Sequence, residues 1–423
     1  MKMTLSRVEA YGLHGRFSIE LDLNPHINVI YGRNGSGKTT LLHIIANILN
    51  NSFDRFAFLR FRRIVLVTSA DNKITVVRQP DDTIRVTHDN EEVIRFSAED
   101  IHRTEAATSE WHDEEEDDEI EEPDLWAFPR PNLAVPRVAY FPAFRTVIEA
   151  DRSATNYQNS LAMARRLFGS FVPSFRYPTP ATIERDLGAR VRAATFQVAR
   201  KNQEIFSDAF INVFAALSGT STKTTSSPEP LLADIGNLLA QLDTPDEGLY
   251  SNVYRRLRER LPSVSTQASE ITAVLEVYRQ SLKAQLEFER QTFAPIQRYL
   301  NAVNDFLEGK KLVVKRSPAP GRQVLVQFDD GSSASLSALS SGERQIVSML
   351  FAATYLGRGG DVVLIDEPEL SLHIDWQRKL LSRMAAQLGE RQIIVCTHSI
   401  EVGADCMEYQ VIQPRPWSDS SHG

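Results

Sequence analysis

The chain has 423 residues, 42% of them hydrophobic, two cysteines and a formal charge of −8. That length suits two or three domains with a large buried core. No run approaches the roughly 18 apolar residues of a membrane helix, the opening MKMTLSRVEAYGLHG lacks the apolar core of a signal peptide, and Cys396 with Cys406 makes neither a disulfide framework nor a metal cluster. The expected setting is therefore a reducing cytoplasm, with no membrane partner.

The acidity is local. Residues 113–124 (DEEEDDEIEEPD) hold ten acidic side chains and no Lys or Arg, and without them the net charge would be about +2. The global charge thus does not argue against a polyanionic partner.

Taken in order, residues 5–10, 17–23 and 27–31 alternate apolar and polar positions as strands do. The third runs into NVIYGRNGSGKTTLL, residues 28–42, which fits G-x-x-x-x-G-K-[ST] from Gly32 to Thr39. Gly32, Gly35 and Gly37 permit backbone conformations that a Cβ would forbid. Successive N–H groups of Arg33, Asn34, Gly35, Ser36 and Gly37 then turn inward to cradle phosphate oxygens at a helix N-terminus. Lys38 is placed to reach the β- and γ-phosphates and Thr39 to ligate Mg²⁺, with Thr40 alongside. The expectation is a nucleoside triphosphate, ATP, bound with Mg²⁺ between a strand and a helix that begins near Lys38.

Residues 61–97 read as four strands separated by Asp/Asn/Pro turns, an all-β meander inserted beside the first helix. The acidic tract follows. A like-charge block is usually a solvated loop, the sharper alternative being a nucleic-acid mimic or a flap over a basic channel. Residues 137–145 (RVAYFPAFR) form a buried-strand candidate broken at Pro142. From there to about residue 308 the pattern is helical. Residues 181–217 and 265–307 are long amphipathic segments, the second with a break or kink expected at Pro295. A polar loop, residues 219–230, separates them. Arg255, Arg256, Arg258 and Arg260 form a basic run on a helix, more readily a solvated face than a nucleic-acid patch. Residues 311–316 and 322–328 read as a hairpin, and the chain then returns to an α/β pattern: helix 342–356, strand 362–365, helix 374–388, strand 392–396.

The strand at 362–365 is continuously apolar, as a buried parallel strand is, and ends in Asp366-Glu367. Asp366 is placed to hold Mg²⁺ through water, and Glu367 to polarise an attacking water as general base. The predicted architecture is an α/β P-loop ATPase head split in two: lobe I over residues 1–150 with an acidic loop at 105–125, an inserted helical module over 151–308, and lobe II over 309–423.

Further motifs bring a resemblance. LSSGERQ, residues 339–345, resembles the signature motif of ABC-type ATPases in the form typical of the SMC and RecF branches. IDEPELSLH, residues 365–373, resembles their Walker B and D-loop, and CTHS, residues 396–399, their switch-histidine segment. With the phosphate loop, four motifs stand in the family's order. The resemblance implies an ATP hydrolase in which Ser340, Ser341, Gly342 and Glu343 at a helix N-terminus meet the γ-phosphate bound by another subunit. Two ATPs are then sandwiched in a head-to-tail homodimer or higher even oligomer, and His398 contacts the γ-phosphate. Two departures stand out: the first signature glycine is Ser341, and no Q-loop glutamine follows residues 137–142, where Arg145 stands nearby and Gln158 is the next candidate. The wording ELSLHIDWQ resembles the OLD-like stand-alone ATPases of bacterial anti-phage systems of the PARIS and Septu types. That resemblance implies a sensor or regulatory scaffold controlling a separately encoded effector, a nuclease. The alternative is a RecF- or SMC-like ATPase that binds DNA in repair or recombination.

Overall fold

The computed structural model describes residues 3–110, 131, 133–143, 157–175, 177–217, 228–242, 251–260, 269–316, 323–356, 361–404, 409–411 and 415–416. The acidic tract at 113–124 and Arg145 lie outside these residues, as does the side chain of Gln158. The chain divides into two compact units, Met1–Thr179 with Gln345–Gly423, and Pro180–Arg344. These limits differ from the composition-based ones at 150/151 and 308/309. Residues 157–175 stay with the first unit because Leu161, Ala164, Val172 and Phe175 are buried in its core.

The first unit holds two sheets. The strands are β1 (Leu5–Leu13), β2 (Phe17–Asp22), β3 (Ile27–Tyr31), β4 (Arg63–Thr68), β5 (Lys73–Arg78), β6 (Thr83–His88), β7 (Glu91–Ser97) and β8 (Val138–Phe141); the second unit contributes β9 (Lys310–Val314), β10 (Val324–Phe328) and β11 (Ser333–Ala334); β12 (Val362–Asp366), β13 (Gln392–Thr397), β14 (Tyr409–Val411) and β15 (Arg415–Pro416) return to the first unit. A parallel sheet runs β14-β3-β13-β12-β8. Every residue of β12 and β13 is buried, which explains their unbroken apolar runs. Helix α1 (Lys38–Leu49) packs on β8, β12 and β13, burying Leu41, Leu42, Ile44, Ile45 and Ile48.

The second sheet is antiparallel, in the order β15-β2-β1-β4-β5-β6-β7. Residues 61–97 therefore do not stand as a separate insertion. Strand β4 pairs with β1, Val8 opposite Leu66 and Ala10 opposite Ile64, so the meander extends the N-terminal hairpin. Local alternation predicts each strand but not its long-range neighbour. The fully buried Gln392 side chain ties the two sheets, accepting from Leu5 N–H at 2.8 Å and donating to the Leu5 and Asn24 carbonyls at 2.8 and 2.7 Å. Helices α2 (Ala98–Glu110) and α3 (Tyr157–Phe168) complete the N-terminal part of this unit.

The second unit carries helices α4 (Pro180–Leu217), α5 (Pro228–Leu242), α6 (Ser251–Arg260) and α7 (Ser269–Asn304). Leu231, Ile235, Leu239, Tyr254, Leu275 and Leu282 are the centre of its core. Two expectations need correcting. Helix α5 begins at Pro228, inside the stretch read as loop, because Pro at a helix start forfeits no hydrogen bond. Helix α7 runs on through Pro295, so the break half of the expected break or kink does not occur. Its flanking residues Phe293, Ile296, Tyr299 and Leu300 are buried, so packing outweighs the one lost backbone bond. Strands β9, β10 and β11 form a small antiparallel sheet, Val313 opposite Leu325. Helix α8 (Ser341–Phe351), within which the unit limit falls, is followed by a π-helical turn, Ala352–Leu356, where a longer α-helix was expected. Helix α9 is Ile374–Leu388.

Candidate active site

The phosphate loop lies between β3 and α1 as its spacing demands. Gly35 and Gly37 adopt φ of 79° and 87°, a region that only glycine enters cheaply. Gly37 caps α1, and a Cβ there would stand 2.9 Å from Phe17 Cε2; at Gly32 a Cβ would stand 2.6 Å from Ser36 Oγ. Arg33, Asn34 and Gly35 are exposed at the loop tip, while Ser36 and Lys38 are buried. Lys38 is 4% exposed, and its Nζ donates to Gly32 O at 2.7 Å and Arg33 O at 3.2 Å. A buried ammonium resting on neutral carbonyls favours an anion close by. The Ser36 hydroxyl oxygen is buried without a hydrogen-bond partner. Both features fit a polyphosphate.

The second half arrives from the far end of the chain. Thr39 Oγ1 donates to Asp366 Oδ2 at 2.8 Å, across 327 residues of sequence. Asp366 is fully buried at the end of β12. The pairing puts a hydroxyl and a carboxylate together, the donor set that Mg²⁺ takes alongside phosphate oxygens and water. Among the described residues no group of three or more His, Cys, Asp or Glu could hold a metal by itself.

Glu367, next along, has φ of 45°. A non-glycine residue in the left-handed region is strained, and such strain gathers at functional sites. Its N–H donates to Cys396 O at 2.8 Å, holding the turn against β13. His398 follows β13, its ring half exposed, with Nδ1 3.0 Å from Glu369 Oε1 and 3.6 Å from Glu367 Oε1. Burial pushes the Cys396 thiol well above its ordinary pKa, with Asp366 adding to the effect, so the thiol is inert.

The signature segment belongs to the second unit up to Arg344 and is described by itself. Ser340 and Ser341 are exposed, Gly342 and Glu343 buried. Glu343 accepts from Ser340 N–H at 2.8 Å and the Ser340 hydroxyl accepts from Glu343 N–H at 3.4 Å, a capping box at the start of α8. Lys310 donates to Glu343 at 3.0 Å. Burial alone would raise the Glu343 carboxyl, but the Ser340 N–H and Lys310 outweigh it and the net shift is downward. Ser340 thus has a local structural task whatever else it meets.

Sequence reasoning missed three residues. Glu369 accepts four contacts from residues 397–399. Its place in IDEPELSLH was visible, its partners were not. His14, in the β1–β2 turn, sets Nε2 3.3 Å from Thr40 Oγ1, beside the phosphate loop. Gln345 donates from Nε2 to Pro368 O at 3.2 Å, fastening α8 to the segment after Glu367.

Two family models match the chain. One, described as "AAA domain", covers residues 2–152; the other, described as "AAA domain, putative AbiEii toxin, Type IV TA system", covers residues 142–405. The chain is similar to the "Retron Ec83 probable ATPase" of Escherichia coli, 29% identical over 187 residues, 40% of this chain and 33% of the relative. The match thus spans about a third of that relative's length. Similarity to solved structures is distant. An Smc head domain with an extended coiled coil from Pyrococcus furiosus gives a TM-score of 0.42 at 14% identity, covering 98% of this chain and 96% of that one. The SMC head domain from Thermotoga maritima gives 0.37 at 11% identity, covering 98% and 99%. Among the described residues no helix is long and apolar enough to cross a membrane. The match over residues 142–405 takes in well over half of the sequence, so the chain belongs to the AAA-domain family so described and is an AAA-family ATPase.

Proposed function

We propose that this chain binds ATP with Mg²⁺ and hydrolyses it in a head-to-tail pair of chains, and that its nucleotide state controls a separately encoded effector nuclease in a cytoplasmic anti-phage system. The observation that carries the ATPase part is the 2.8 Å bond between Thr39 and Asp366, because it joins the two motifs that the chemistry needs at one point. The loop amides of residues 33–38 and the Lys38 ammonium would hold the phosphates. Thr39 and Asp366 would hold Mg²⁺, which when bound neutralises charge developing on the transferred phosphoryl group. Glu367 would take the proton of the attacking water, and His398 would hold the γ-phosphate end. Ser340 and Gly342, at the start of α8, would serve the neighbouring chain's nucleotide through the Ser340 hydroxyl, the Gly342 backbone N–H and the helix dipole.

The anti-phage assignment rests on the similarity to the retron ATPase and on the form of the residues after Asp366. The DNA-acting alternative draws on a different feature, a cavity of about 790 Å³ lined in part by Arg60, Arg62, Arg78 and His102. Arg78 is engaged by Asp82 and by the Ala57 and Leu59 carbonyls, which lessens the basic character of the cavity.

The test mixes Lys38→Ala chains with Ser340→Arg chains. A mixed pair concentrates both defects in one composite site and leaves the other intact, so part of the ATPase activity should return. No recovery, or full turnover by a strictly monomeric wild-type preparation, would refute the shared site. Co-expression with the genes encoded beside it, followed by identification of chains purified with it, tests the effector. Absence of any stoichiometric partner, together with salt-dependent DNA binding, would favour the repair ATPase.

A further inference from the structure

The Glu369 carboxylate is a heavily used acceptor in the first unit. It is 5% exposed. A single oxygen, Oε1, accepts from the Thr397 hydroxyl at 2.6 Å, His398 N–H at 2.9 Å and Ser399 N–H at 3.2 Å, and lies 3.0 Å from His398 Nδ1. The other oxygen, Oε2, is buried without a hydrogen-bond partner. A buried carboxylate is costly unless its charge is answered by good donors. Here the donors all come from the three residues that end β13 and begin the histidine segment. Glu369 itself lies on the turn after β12, whose Pro368 carbonyl is held by Gln345.

The arrangement decides a proton position. A carboxylate only accepts, so a neutral His398 ring that satisfies Glu369 carries its proton on Nδ1. Glu367 Oε1 is 3.6 Å from the same nitrogen, beyond hydrogen-bond range. The ring proton is therefore directed to Glu369 rather than to the proposed general base, which a donated hydrogen bond would weaken. With Nδ1 committed, Nε2 is the ring atom left to act outward.

We propose that Glu369 is a positioning residue for the ATPase reaction. It fixes the rotamer and tautomer of His398 and clamps the backbone of residues 397–399, so that the turn carrying Glu367 and the segment carrying His398 move as one. This rests on the ATPase assignment for its kinetic consequence but not for the tautomer.

Two measurements test it on the full chain. The first is ¹⁵N NMR of histidine-labelled wild type and Glu369→Ala, with His398→Ala used to assign the His398 ring signals. A neutral His398 ring should be the Nδ1–H tautomer in wild type and should shift toward the mixture dominated by Nε2–H in Glu369→Ala, which removes the acceptor; Glu369→Gln, whose amide oxygen still accepts, should retain more of the Nδ1–H form. An Nε2–H ring in wild type, or spectra unchanged by Glu369→Ala, would overturn the proposal even if no ATPase activity were found. The second is turnover. Glu369→Ala should lower kcat on the order of 10- to 100-fold, as loss of a partner that orients a functional imidazole does, with the KM for ATP within about threefold. The Glu369→Ala/His398→Ala double variant should be no slower than the slower single one, because both act through one ring. Multiplying effects, or a change in KM alone, would refute it. Glu369→Gln keeps the volume, and its affinity for a fluorescent ATP analogue shows that the fold and the phosphate loop persist.

Discussion

Replacing Gly37 by alanine adds a single methyl group at the point where the phosphate loop becomes α1. Two separable costs follow. Holding a residue with a Cβ at φ of 87° costs about 1–2 kcal/mol relative to glycine. The new Cβ would also lie 2.9 and 3.1 Å from Phe17 Cε2 and Cζ and 3.2 Å from Ile19 Cδ1, and overpacking of that kind costs about 1–3 kcal/mol. The sum, about 2–5 kcal/mol, is a large part of a typical domain's stability of about 5–15 kcal/mol. Phe17→Leu removes the two ring atoms in closest contact, so in the double variant the steric part should relax while the backbone part remains. Urea midpoints by circular dichroism for the four members of the cycle give the coupling. Gly37→Ala alone should be the least stable relative to its parent background and should also bind a fluorescent ATP analogue more weakly, since the cap of α1 is displaced. The reasoning is refuted if the two substitutions add to within about 0.5 kcal/mol, the spread of independent sites, or if Gly37→Ala unfolds at the wild-type midpoint.

Lys38→Ala should abolish detectable binding of the ATP analogue, while Glu367→Gln should bind it and fail to turn over; wild-type turnover by Glu367→Gln, measured as phosphate release, removes Glu367 as the base. His43, fully buried on α1 and hydrogen-bonded to Tyr140 Oη at 2.9 Å, has its pKa pushed down to about 3 by burial. Its folded pKa lies below the unfolded one, so the unfolded chain binds the extra proton and stability falls as pH drops from about 6.5 toward 3. Between pH 6.5 and 5 this amounts to ~2 kcal/mol. His43→Gln, which can keep a bond to Tyr140, should flatten the urea midpoint over that interval; an unchanged pH slope refutes it.

The sequence by itself determined the phosphate loop, the strand ending in Asp366-Glu367 and the order of the four motifs. Each is short and local. Glycine positions, a helix start and an apolar run act over a few residues, so they are legible wherever they fall. Most strand and helix limits in the parallel sheet were legible for the same reason. Only the tertiary structure decided what those residues touch. Alternation predicted the strands of residues 61–97 but not that β4 lies against β1, because register with a distant strand depends on a shared core and not on local pattern. Propensity predicted a break or kink at Pro295, and the helix continues through it with buried neighbours on both sides. Spacing placed Thr39 and Asp366 in separate motifs, and the 2.8 Å bond between them exists only because β3 and β12 flank β13 in one parallel sheet. Glu369 shows the same limit from the other side. In sequence it is one acid among several after Asp366. Its hold on residues 397–399 comes from the parallel pairing of β12 and β13, which brings the two turns at their carboxyl ends side by side.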